Sequence, residues 1–99
     1  MKIQTGTAKM GNDDSDWELH KGHGPRTHRW VVKYPEPFAV PPTASVSLAG
    51  FEARSKDDEN FRLAVRVVKT EHDKMKLEVK TNGYMKVMNV TVTWLAYGS

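Results

Sequence analysis

Hydrophobic and polar residues alternate along most of the chain, which is the pattern of a β-strand with one buried face. The clearest run closes the sequence, where apolar and polar residues alternate from Met88 to Ala96. A denser apolar run predicts a central strand at residues 30–34, and a Thr-rich run lies at residues 3–9. The other predicted strands lie near residues 44–53, 61–68 and 75–80. No segment shows the 3.6-residue period of an amphipathic helix, so we expect an all-β fold of six strands.

Turn residues separate these runs. Asn82-Gly83 lies between two alternating segments and predicts a tight hairpin. Gly50 lies where the alternation changes phase, which indicates a β-bulge or a bend. Four prolines between residues 35 and 42 predict an extended linker. Short antiparallel strands with hairpin connections indicate a β-sandwich or a small barrel, and 99 residues indicate a single domain over residues 1–99.

The phase of each run predicts which side chains are buried. Trp94 is in phase with Met88, and we expect both in the core. Arg62 and Arg66 share the opposite, outward face of their strand. Each arginine has two interpretations, which are a planar donor for sugar hydroxyls and an ion pair with Glu78 across the sheet.

Composition excludes several classes of protein. The chain has no cysteine, so it has neither disulfides nor a thiolate nucleophile. Its net charge is +3, and both signs are interleaved along the sequence, so we expect no nucleic-acid partner. No apolar stretch is long enough to span a membrane, and the start lacks the apolar block of a signal peptide. We therefore expect no membrane insertion, and a cytoplasmic or unconventionally secreted protein.

The longest irregular segment, residues 11–28, is rich in histidine. His20, His23 and His28 match no established zinc spacing, so we interpret them as solvated loop residues and expect no metal. No serine lies in a nucleophile-elbow sequence, and no glycine-rich phosphate loop is present. We therefore predict a protein that is not an enzyme and needs no cofactor.

Several segments, taken in their order and spacing, resemble the H-type lectin domain found in snail agglutinins and in the C-terminal part of discoidins. The segments are Ile3–Gly6, Trp17, Tyr34–Leu48, Asn60–Leu63 and Met88–Trp94. The resemblance implies a six-stranded antiparallel β-sandwich that assembles as a homotrimer. It also implies sugar sites near the protomer interfaces, with a preference for galactose or N-acetylgalactosamine.

The resemblance also implies a site. In the snail lectin the sugar is held by an aspartate in the first long loop, an arginine on the fourth strand and a Trp-His pair in the last hairpin. Arg62 matches the arginine, and the aspartate position falls near His23. The Trp-His pair falls on Asn82 and Gly83, which are followed by Tyr84. These five residues form the predicted carbohydrate site, and the expected partners are glycans of glycoproteins or glycolipids.

The missing Trp-His pair supports an alternative hypothesis, a structural trimerisation module without sugar binding. A sugar site needs an aromatic ring beside polar donors, because a sugar presents C–H faces together with hydroxyls. Tyr84, Trp17, Trp30 and the histidines are the candidates for this role.

Overall fold

The computed structural model describes residues 1–22, 24–54, 62–82 and 85–99, and these segments form six β-strands and no helix. The strands are β1 (Lys2–Gly11), β2 (Arg26–Lys33), β3 (Thr43–Arg54), β4 (Leu63–Thr70), β5 (Lys74–Thr81) and β6 (Lys86–Gly98). They form two antiparallel sheets, sheet 1 with the order β1-β6-β3 and sheet 2 with the order β2-β5-β4. The predicted all-β fold of six antiparallel strands is confirmed.

The core lies between the two sheets and is densest along their central strands, β5 and β6. The fully buried apolar side chains there alternate along each strand, as the sequence pattern predicts, except between Val87 and Val90. They are Met75, Leu77 and Val79 on β5, and Val87, Val90, Val92 and Ala96 on β6. Trp94 is also buried, so its predicted core position is confirmed. Two-sided pairing makes β5 and β6 the scaffold on which the other strands are placed.

The predicted central position of the second strand is wrong. β2 pairs only with β5 and forms an edge of sheet 2. Trp30 and Tyr34 point into the core, whereas Val31 lies on the outer face and is 47% exposed. A dense apolar run indicates that one face of a strand is strongly buried. It does not indicate whether the strand is paired on both edges.

The predicted bulge near Gly50 is confirmed by a register shift between Leu48 and Gly50 on β3. A second shift lies between Glu52 and Ala53 on the same strand, where the register passes over Met88 of β6. Because this bulge changes the phase, Val87 is fully buried and Met88 is only half-buried. The predicted core position of Met88 is therefore wrong.

The hairpin predicted at Asn82-Gly83 is also wrong. β5 belongs to sheet 2 and β6 to sheet 1, so the two strands are not hairpin partners. An Asn-Gly dipeptide favours a tight turn only through its local conformation. The strands that pair with β6 are determined by burial of its apolar face in the core. The hairpin of this region is β4–β5, whose turn is closed by a 2.8 Å bond from Glu71 N–H to the Lys74 carbonyl.

Candidate functional site

The two described residues of the predicted site, Arg62 and Asn82, belong to one end of sheet 2. There β2 begins, β5 ends and β4 begins, because Arg26 is paired with Thr81 and Thr81 with Leu63. Arg62 directly precedes β4, and Asn82 directly follows β5. The pairing therefore brings Arg62 and Asn82 to the same end of the sheet. His23, Gly83 and Tyr84 lie outside the described residues.

Arg62 lies beside the last residue of β5. The buried Thr81 hydroxyl donates a 3.1 Å hydrogen bond to the Arg62 carbonyl, so the backbone of Arg62 is tied to the central strand. The Arg62 residue is exposed, and Asn82 is half-buried. A backbone fixed by a buried partner, with its side chain in solvent, is a suitable arrangement for a ligand contact.

Arg26 connects the two loops at this end of the sheet. Its guanidinium donates to the carbonyls of Leu19 at 3.3 Å and Gly24 at 3.2 Å, and also to those of Lys21 and Met85. Desolvation by burial lowers the pKa of Arg26 below its ordinary value. Three of these acceptors lie before β2, and Met85 lies before β6. One side chain therefore links the segment before β2 to the residue before β6.

Sequence reasoning overlooked Arg26. Its acceptors are backbone carbonyls from two distant segments, and no local pattern indicates where such carbonyls converge. The loop before it turns through Gly22 and Gly24, whose φ angles of 79° and 78° are in the left-handed region. An open depression lies next to Arg26, and its lining residues are Glu18, Leu19, Lys21, Gly22, Arg26 and Thr27.

Trp17 and Trp30 are not available as sugar platforms, because both are buried in the core. The Trp17 indole N–H donates a 2.8 Å bond to the Val87 carbonyl, which fixes the long loop against β6. His28 lies in β2 rather than in the loop, with its ring 4.8 Å from Trp17 and 6.2 Å from Trp30. The interpretation of His28 as a solvated loop residue is therefore wrong.

The described residues contain no group of three or more His, Cys, Asp or Glu side chains that could hold a metal ion. In the same part of the chain, no helix is long and apolar enough to cross a membrane.

The ion-pair interpretation holds for Arg66. Its Nε lies 2.9 Å from one oxygen of Glu78, and the Nε of Arg29 lies 2.9 Å from the other. The hydrogen bond from Arg66, together with that from Arg29, holds the pKa of the Glu78 carboxyl below its ordinary value, against the raising effect of desolvation. Glu78 is therefore covered by arginine side chains on the outer face. Arg62 lies four residues away from Arg66 along the chain, at the open end of the sheet.

The profile of the H-type lectin domain matches residues 31–97, which is more than half of the chain. The chain belongs to the H-type lectin domain family. Its fold is similar to that of discoidin II from Dictyostelium discoideum, in the native recombinant form and in the wild type, each with a TM-score of 0.82 and 23% identity. Each match covers 96% of this chain, which spans 36% and 35% of those two chains.

A further relative of this H-type lectin domain is a Fuscovulum blasticum protein described as "ATP synthase subunits region ORF 7". It is 29% identical over 98 residues, which are 98% of this chain and 84% of the relative. Its description names a gene region and no ligand. Family and fold together support a carbohydrate-binding lectin as the function of this chain.

Proposed function

We propose that this domain binds terminal galactose or N-acetylgalactosamine of glycoproteins or glycolipids, at the end of sheet 2. The observation that supports the proposal is the pairing of Thr81 on β5 with Arg26 on β2 and with Leu63 on β4. This pairing brings Arg62 and Asn82 to one end of the sheet. In the sequence, His23 shortly precedes Arg26, and Gly83 and Tyr84 shortly follow Thr81. Residues from three separate segments thus supply one candidate site.

Each residue has a distinct role in this proposal. Arg62 donates two parallel hydrogen bonds to neighbouring sugar oxygens through its planar fork. Tyr84 supplies an aromatic ring for the C–H face of the sugar. Asn82, Gly83 and His23 are polar neighbours. The protein has no catalytic role in this proposal, and binding needs no metal or cofactor.

A homotrimer, with the sites near its protomer interfaces that the family resemblance implies, is the second part of the proposal. The support for self-association is the outer face of sheet 1, where three neighbouring cross-strand rows, from the row of Ile3 and Tyr97 to the row of Thr7 and Thr93, contain no charged residue. This neutral face consists of Ile3, Thr5, Thr7, Thr43, Ser45, Ser47, Thr93, Leu95 and Tyr97. Three of these residues, Ile3, Leu95 and Tyr97, are large apolar side chains that are exposed in the single chain. Such a face is suited to self-association.

Isothermal titration with N-acetylgalactosamine and galactose tests the site. Arg62→Ala removes two hydrogen bonds from a charged donor, each of about 1.5–3 kcal/mol, so we expect at least a tenfold weaker affinity. Arg62→Lys keeps the charge and loses the fork, and should recover only part of the binding. Lys33→Ala removes an exposed cation from the opposite end of sheet 2 and is the matched control, with unchanged affinity.

Glycan-array binding separates this proposal from the alternative of a structural trimerisation module. A trimeric wild-type protein that binds no glycan on the array would support the module. Equal affinity of wild type and Arg62→Ala for the same sugar would place the site elsewhere on the domain.

A further inference from the structure

The outer face of sheet 2 is rich in positively charged side chains. Six exposed cationic side chains lie on it, in the order of the strands β2, β4 and β5, and we call them the cationic face. They are Arg29, Lys33, Arg66, Lys69, Lys76 and Lys80. The whole chain has a net charge of only +3. Positive and negative residues are interleaved along the sequence, but in the folded chain the positive side chains share the outer face of sheet 2. This is possible because alternate residues of a strand lie on the same face.

The carboxylates of this region are already engaged by its cations. Glu78 contacts Arg29 and Arg66 at 2.9 Å and Lys80 at 3.7 Å. Glu71, at the β4–β5 turn, lies 3.7 Å from Lys69. It also lies 3.6 Å from the half-buried Lys74.

The third carboxylate of the region is Asp73, which lies in the same turn, 4.0 Å from His72. Among the described residues of the cationic face and its turn, these three carboxylates are outnumbered by seven lysines and arginines, so positive charge remains in excess.

Glu78 orients two of the arginines for an anionic ligand. Each arginine donates its Nε–H to Glu78, so the Nη groups of both guanidinium groups remain as donors for a ligand. The side chains of Arg29 and Arg66 remain 67% and 59% exposed. A guanidinium group that is already held in place loses less conformational entropy when it binds a sulfate or carboxylate.

We infer that the cationic face binds a linear acidic polysaccharide, one whose sugar units carry sulfate or carboxylate groups. A polymer with repeated anions matches a flat array of cations, with strands about 4.8 Å apart and alternate residues about 6.8 Å apart along each strand. This surface is distinct from the proposed site for neutral terminal sugars at the end of sheet 2. In a trimer, three such faces would bind one long polymer with increased avidity.

Other polyanions fit the face less well. Single-stranded nucleic acids are bound with aromatic side chains on which bases stack, and the outward positions of β2, β4 and β5 carry no aromatic residue. A DNA duplex is read by a helix or ribbon that enters its groove, whereas this face is a flat sheet. For insertion into a membrane, the face offers one large exposed hydrophobic side chain, Val31.

Binding of the chain to immobilised heparin tests the inference. Lys33→Glu/Lys76→Glu reverses two exposed lysines that do not contact Glu78, and we expect an affinity at least about tenfold weaker at physiological salt. The dependence of affinity on salt should also become less steep, because fewer counterions are released. The control Lys9→Glu/Lys86→Glu changes net charge equally at exposed positions of sheet 1 and should bind within about twofold of wild type.

Further probes separate the proposals. We expect wild type to bind heparin and not uncharged dextran, and galactose should not displace heparin. Arg62→Ala should retain heparin binding, and Lys33→Glu/Lys76→Glu should retain galactose binding, so each proposal fails separately. Equal heparin affinity of wild type and Lys33→Glu/Lys76→Glu, or no binding by wild type, overturns the inference. So does tighter binding of duplex DNA or of phosphatidylserine vesicles than of heparin.

Discussion

Gly6 and Trp94 show how one missing side chain determines local packing. They are paired across β1 and β6, and the Trp94 indole lies against the Gly6 backbone. A Cβ atom at position 6 would lie 2.6 Å from Cζ2 of Trp94, which is too close for two carbon atoms. Trp94 is only 6% exposed, and the centre of its ring lies 5.8 Å from the centre of the Tyr34 ring. The sequence pattern predicts an inward Trp94 but not the need for glycine on the neighbouring strand, since that need arises from a non-local contact.

Gly6→Ala should destabilise the fold by about 1–3 kcal/mol, because the added methyl group forces Trp94 or β1 to move. Urea unfolding monitored by tryptophan fluorescence measures the change. Gly50→Ala is the matched control, because a Cβ there meets no atom within 4 Å. Its expected change is small. If both variants unfold at the same urea concentration, the close packing of Trp94 on Gly6 is not present in solution.

The site residues differ in how far the sequence could predict them. Arg62 was found by resemblance to a family pattern, and its position at the end of sheet 2 follows from the pairing of β4 with β5. Arg26 matches no motif, although it holds both loops of the candidate site. A side chain that binds backbone carbonyls is recognised only when the fold has brought those carbonyls together.

At the level of elements, the sequence predicts strands better than their partners. Alternation, the dense apolar run at residues 30–34 and the Thr-rich run at residues 3–9 together predict strands at all six positions, because these patterns indicate which face of a strand is buried. They do not indicate which strands are neighbours in a sheet, and so the predictions of a central β2 and of a β5–β6 hairpin are both wrong. Glu78 marks the true centre of sheet 2, where it receives an arginine from each flanking strand. One carboxylate thus links β2, β5 and β4 across the outer face.

Glu78→Gln tests this link through the pH dependence of stability. Because the folded-state pKa of Glu78 is lowered, its contribution is complete above the ordinary value of 4.5 and is lost as pH falls through the lowered folded value. We expect Glu78→Gln to have the lower melting temperature at about pH 7, and the gap to narrow towards about pH 3. Thermal unfolding of both proteins across this range is the measurement. Parallel melting curves at every pH would show that Glu78 is not held by the arginines.

At the level of the whole molecule, the two outer faces of the sandwich have different chemistry. The neutral face on sheet 1 carries hydroxyl and apolar side chains, and the cationic face on sheet 2 carries lysine and arginine. A chain of 99 residues without disulfides has a modest core, so burial between protomers adds useful stability. Association through the neutral face would leave the cationic faces and the candidate sugar sites accessible to ligands.

Leu95→Glu should convert the proposed trimer to monomers. Leu95 lies on the central strand of sheet 1 and is 38% exposed, so three copies would bring three carboxylates into one apolar contact. Light scattering at micromolar concentration should give the mass of three chains for wild type and of one chain for the variant. Val31→Glu changes a similarly exposed residue on sheet 2 and should remain trimeric. A monomeric wild type would exclude the trimer. If Leu95→Glu is monomeric and folded, its galactose affinity by titration shows whether a neighbouring protomer contributes to the site: unchanged affinity means that one chain holds the sugar alone.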